Sequence, residues 1–91
     1  MEPNQNVASM TKRLKRIEGQ LRGITKMLEE GKPCPEVLIQ ISSARSALQK
    51  VGQLLLETHA AQCLQDGLRT GDAEDAAQQL RAAIEQFSRI V

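Results

Sequence analysis

Val37, Ile41, Ala44, Leu48, Val51, Leu55 and Thr58 follow one another at steps of 4, 3, 4, 3, 4 and 3. Such a heptad rhythm belongs to a helix packed lengthwise, at a shallow angle, against other helices. Leu38, Leu54 and Leu56 widen the apolar stripe. The pattern predicts a helix over 35–66, ending near Gly67 and on the order of 50 Å long at ~1.5 Å per residue. No other periodic segment in the chain is as long, so part of this seam is expected to face another protomer. Size points the same way. Phe87 is the one aromatic among 91 residues. A core of Leu, Ile, Val, Ala and Met in so short a chain is marginal unless helices from a second copy complete it.

Two shorter helices flank the long one. Leu14, Ile17, Leu21, Ile24 and Leu28 alternate steps of 3 and 4, which predicts an amphipathic helix over about 9–30. Ser9 is a candidate N-cap, and Gly31 a stop. Gly31-Lys32-Pro33-Cys34-Pro35 then forms a turn, with Pro35 suited to the first turn of the next helix. Gly71-Asp72 breaks the chain again, and Asp72 and Asp75 favour a helix start. Ala77, Leu80, Ile84, Phe87 and Val91 form the stripe of a third helix over about 72–90. With no strand alternation and no internal repeat, the reading is all-α: a mobile tail at 1–8 and one domain at 9–91. Gly19 and Gly23, four apart in the first helix, suggest close approach of another helix.

No apolar run reaches the roughly 20 residues needed to span a bilayer, and Met1 to Thr11 lacks the apolar stretch of a secretory signal. A cytoplasmic protein with no membrane partner is expected. Two cysteines are too few for a disulfide scaffold. The net charge of +1 is uninformative, but its distribution is not. Residues 1–50 carry +4 and residues 51–91 carry −3. The positive charge gathers in Lys12, Arg13, Lys15, Arg16, Arg22 and Lys26, with Arg45 and Lys50 as possible extensions. Segregated charge of this kind predicts one anion-facing surface.

His59 and Cys63 stand four apart within the long helix, on one face, with Cβ atoms roughly 5–6 Å from each other. Two donors so placed can converge on one metal ion. Cys34 begins the same helix 25 residues before His59, roughly 37 Å away along the axis, so it cannot join them within one chain. In an antiparallel pair of these helices it can. Cys34 and Cys63 average to position 48.5, and Cys34 and His59 to 46.5. A two-fold axis near Ala47–Leu48 therefore apposes Cys34 of one protomer to His59 and Cys63 of its partner, giving two equivalent sites per dimer. Two thiolates and an imidazole form a soft set that suits three-coordinate Cu(I) best. Zn²⁺ would want a fourth ligand, such as water or Glu57. A disulfide, a pair of core cysteines and redox chemistry at Cys34 stay open. Catalysis does not fit: a single histidine, no Ser-His-Asp arrangement and no phosphate-binding glycine loop leave little to work with.

Arg13 to Phe87 resembles the copper-sensitive operon repressor family, whose members also sense nickel or cobalt, formaldehyde or persulfides. The resemblance rests on R-L-K-R-I-E-G-Q-L-R-G-I at 13–24, G-K-P-C at 31–34, Q-I-S-S-A at 40–44 and L-L-E-T-H-A-A-Q-C at 55–63. It implies three helices per chain, an antiparallel four-helix bundle in the dimer and a flat tetramer of two dimers. It also implies a DNA-binding surface without a helix-turn-helix, and favours Arg13 and Lys50 among the DNA contacts. The copper-sensing members' ligands fall on Cys34 of one protomer and His59 and Cys63 of the other.

Several departures sort the branches. Nickel sensors add an N-terminal His, where this chain has a position near Glu2. Persulfide sensors replace the His that is present here as His59, and formaldehyde sensors usually lack the second Cys, present here as Cys63. Copper sensors often carry a Tyr before the first Cys and a Glu in the third helix; Pro33 and Gln79 stand there. The expectation is a non-enzymatic repressor that binds double-stranded operator DNA when metal-free and releases it on binding Cu(I). The alternatives are a thiol-sensing repressor, in which Cys34 attacks a persulfide or electrophile and crosslinks to Cys63 of the partner, and a copper buffer that never touches DNA.

Overall fold

A computed structural model describes residues 5–88 of the chain. They form three helices and no strand: α1 (Gln5–Glu29), α2 (Cys34–Thr70) and α3 (Ala73–Ser88). The described residues divide into two compact units, one ending at Val51 and the other beginning at Gly52. From sequence, 9–91 reads as one domain. α2 runs through both units.

The breaks follow from local chemistry. Gly31 adopts φ 71°, its N–H donates to Leu28 O at 3.2 Å, and Lys32 N–H donates to Met27 O at 3.0 Å. These paired bonds satisfy the last carbonyls of α1 with a left-handed glycine just past its end. The carbonyl of Pro33 then accepts from Glu36 and Val37 N–H at 3.0 and 3.2 Å. Cys34 is therefore the first residue of α2, one ahead of the start predicted at Pro35. α2 closes at Gly71 (φ 77°). Asp72 Oδ1 accepts from Asp75 N–H at 3.0 Å, capping α3 as its sequence position suggested.

Three expectations need correction. Ser9 is not a cap, because α1 already begins at Gln5 and residues 5–8 of the expected tail are helical; Thr11 Oγ1 donates to Val7 O at 2.8 Å within that turn. Gly67 does not stop α2, which continues to Thr70. Its φ is not positive, and a Cβ there would lie 3.2 Å from Ala76 Cβ, so its role is close packing of α3. No helix of this chain approaches Gly19 or Gly23: a Cβ at Gly23 would meet nothing within 4 Å, and at Gly19 only the Arg22 side chain. Val91 and Glu2 lie outside the described residues.

In the first unit, Met10, Ile17 and Ile24 on α1 and Val37, Ala44 and Val51 on α2 are buried. Each set repeats every seven residues. Ile24, Val37 and Ala44 cluster with half-buried Met27, and Gln20 Nε2 donates to Ser43 Oγ at 3.0 Å. The other half of each heptad stays exposed: Leu14, Leu21 and Leu28 on α1, and Ile41 and Leu48 on α2. The contact between α1 and α2 thus uses one position in each heptad and leaves its companion uncovered. Among the described residues of the second unit Cys63 is the one buried apolar residue, and α3 has none.

Candidate metal centre

The stretch of α2 beyond Gly52 brings two of the three soft donors together. Cys63 Sγ lies 3.5 Å from His59 Nε2, as the i, i+4 spacing on a helix requires. Which ring nitrogen carries the proton depends on the tautomer. The spacing fits a shared ion: metal bonds of ~2.0 Å to nitrogen and ~2.3 Å to sulfur would subtend about 110° across it. Cys63 is buried and His59 half-buried. Cys63 lies among Ala60, Leu64, Gly67, Ala73, Ala76 and Leu80, while His59 lines a separate apolar groove with Leu55, Leu56, Ala83, Gln86 and Phe87.

Cys34 belongs to the first unit, exposed and in no disulfide, in the first turn of α2. Among the described residues no three His, Cys, Asp or Glu side chains converge as a metal site. One chain thus brings two donors together, and a three-donor site would need another from elsewhere. Glu57, considered as a fourth ligand for zinc, is exposed and on an ideal helix points about 120–160° away from His59 and Cys63. Gln79 donates to Asp75 Oδ2 at 2.9 Å and borders a polar pocket with Asp66 and Asp72, so it is not a neighbour of His59. Pro33 contributes only its carbonyl, as the cap of α2.

All eight candidate anion contacts, Lys12, Arg13, Lys15, Arg16, Arg22, Lys26, Arg45 and Lys50, are exposed. Among the described residues the one ion pair is Arg69 with Asp66, at 2.9 Å, so none of the eight is spent on an internal partner. At about 100° per residue, Lys12, Lys15, Arg16, Arg22 and Lys26 occupy roughly a third of the circumference of α1, opposite buried Met10, Ile17 and Ile24. Arg13 sits apart, beside the buried stripe. Gly19 and Gly23 fall in the middle of the basic arc, which explains why no helix covers them. Sequence reasoning missed Gly52, whose missing side chain makes room for the Phe87 ring. A glycine in the middle of a predicted helix, away from any turn, was the available signal.

A strandless three-helix chain with a basic helix face and a thiol–imidazole pair has the parts of a metal-responsive DNA-binding regulator. Comparison with known proteins is specific. Residues 6–91 match the family described as metal-sensitive transcriptional repressor. The copper-sensing transcriptional repressor CsoR of Bacillus subtilis (strain 168) is 42% identical over 80 residues, covering 88% of this chain and 79% of that protein. The Cu(I) crystal structure of the copper-sensing repressor CsoR from Geobacillus thermodenitrificans NG80-2 superposes with TM-score 0.84 at 42% identity, covering 97% of this chain and 94% of that one. The nickel-responsive transcriptional regulator InrS superposes with TM-score 0.85 at 36% identity, covering 96% and 98%. The chain belongs to the metal-sensitive transcriptional repressor family, a regulatory and non-enzymatic one.

Proposed function

We propose that this chain is a Cu(I)-responsive repressor in which Cys34 of one protomer and His59 and Cys63 of its partner form each metal site. The observation that carries this is the 3.5 Å approach of Cys63 to His59. On an ideal helix at about 100° per residue, Cys34, His59 and Cys63 share an arc of about 40°. Ile41, Leu48 and Leu55, all exposed, occupy the adjoining arc. An antiparallel partner that covered this apolar stripe would carry its own Cys34 to the His59–Cys63 pair, in a four-helix bundle that a second such dimer extends to a tetramer.

Two copper-sensing relatives and one nickel-responsive neighbour leave the choice of metal to the donors. Two sulfurs and a single imidazole suit soft Cu(I). Ni(II) prefers more nitrogen and oxygen donors in a square plane, and the sequence holds one histidine. When bound, Cu(I) supplies a cation that holds two thiolates and the imidazole in one place. The rest is done by the chain. Drawing Cys34 towards the partner's half-site displaces α2, and with it the basic residues at 12–50 that meet double-stranded operator DNA in the cytoplasm. Linkage requires tighter metal binding by the DNA-free form, with a coupling of ~1–3 kcal/mol.

The test is a titration of operator-bound protein with Cu(I), wild type beside His59→Ala. Wild type should release DNA. The variant should bind operator as tightly as wild type does without metal, and keep hold of it in copper. Unchanged DNA affinity of the wild type on adding Cu(I) refutes the switch.

A further inference from the structure

No residue of α3 is buried, yet both donors of the half-site lie against this helix. Ala73, Ala76 and Leu80 border Cys63, which is only 4% exposed. Ala83, Gln86 and Phe87 border His59 across a groove of about 400 Å³. A helix that buries no side chain rests on few contacts, and such segments open at low free energy.

One of those contacts is unusually intimate. Gly52 has no positive φ, so backbone geometry does not call for glycine there, and mid-helix glycine is less favourable than alanine. A Cβ at this position would overlap Phe87 Cε1 and lie 2.8 Å from Cζ, where ordinary contact begins at 3.4 Å. The missing Cβ is what lets the one aromatic ring of the chain rest on bare α2 backbone. The seat is seven residues, about two turns, before His59.

We propose that Phe87, seated on Gly52, is a positioning residue that latches α3 over the His59–Cys63 pair and so governs access to the two donors. The consequence for copper rests on the function proposed above; the latch itself does not. With a Cβ at position 52, the ring must withdraw by at least 0.6 Å at Cζ, which loosens the seat at the far end of α3. The near end, at Gly67 and Ala76, keeps its own contact.

The test uses the intact metal-free protein and iodoacetamide, with each cysteine followed separately by mass spectrometry. Exposed Cys34 serves as the internal reference. In Gly52→Ala, Cys63 should be alkylated about tenfold faster than in wild type, in the range overpacking costs, while Cys34 reacts at its wild-type rate. Phe87→Leu empties the seat and should likewise speed alkylation of Cys63, and combining it with Gly52→Ala should add less than about threefold to the faster single variant, because both break the same contact. Helix propensity alone predicts the opposite sign, because alanine stiffens α2 and slows opening. Cys63 reacting no faster in Gly52→Ala, or Cys34 accelerating equally, overturns the latch. A copper titration of the wild type judges the metal reading separately: a protein that ignores Cu(I) loses that function and leaves the alkylation ratio to decide the latch.

Discussion

Leu48 stands next to the proposed two-fold axis and is 52% exposed in the single chain. About half of its side chain is therefore available to a partner. Fully burying a leucine is worth about 1.5–3 kcal/mol, so this half is worth about 1 kcal/mol. A two-fold interface counts it twice, and Leu48→Ala should weaken the dimer by about 2 kcal/mol, roughly 30-fold in Kd, from transfer alone. The cavity left at a packed interface raises the loss further, because neighbouring helices relax only in part. The fold of the single chain should lose about 1 kcal/mol, from the half of the side chain that is covered within it. Sedimentation equilibrium over a dilution series, with helicity followed by circular dichroism, separates the two effects. A variant that dissociates at the wild-type concentration would refute the placing of the axis, and with it the arrangement of the metal site.

Other consequences can be checked independently. Cys34→Ser and Cys63→Ser proteins should each fail to bind Cu(I) tightly alone, whereas a mixture should recover one intact site in every mixed dimer; metal stoichiometry that stays at zero on mixing would exclude a shared site. Replacing Arg16 by Gln should weaken operator binding and lower the slope of log K against log salt by about 0.9 for each phosphate it no longer neutralises. Arg69→Gln, whose side chain is paired with Asp66, should leave that slope unchanged. Asp72→Ala removes the acceptor for Asp75 N–H and should destabilise the protein by about 1 kcal/mol, seen as a Tm lower by roughly 4–8 °C for a domain of this size.

The nickel-responsive neighbour and the copper-sensing relatives share one backbone with this chain. The fold therefore does not choose the metal, and the donor set must. Here the set is two thiols and one imidazole, with Pro33 and Gln79 at positions where copper sensors often have tyrosine and glutamate. Gln79 is turned to Asp75, and the α3 residues that share a groove with the imidazole are Ala83, Gln86 and Phe87.

Helices, turns and the donor pair were legible because they depend on neighbours a few residues apart. The heptad of α2, the glycines at 31 and 71, the cap at Asp72 and the i, i+4 meeting of His59 with Cys63 are all local geometry. The proposed pairing of Cys34 with a partner's donors rests likewise on register along a single helix. Long-range packing decided the rest. Gly67 reads as a stop in the sequence but admits Ala76 in the fold, and Ser9 reads as a cap but lies inside α1. Which half of each heptad the chain buries for itself, and that α3 meets α2 at Ala76 on Gly67 and at Phe87 on Gly52, depends on contacts between residues distant in sequence. A periodic pattern says that a face will be covered; only the packed structure says what covers it.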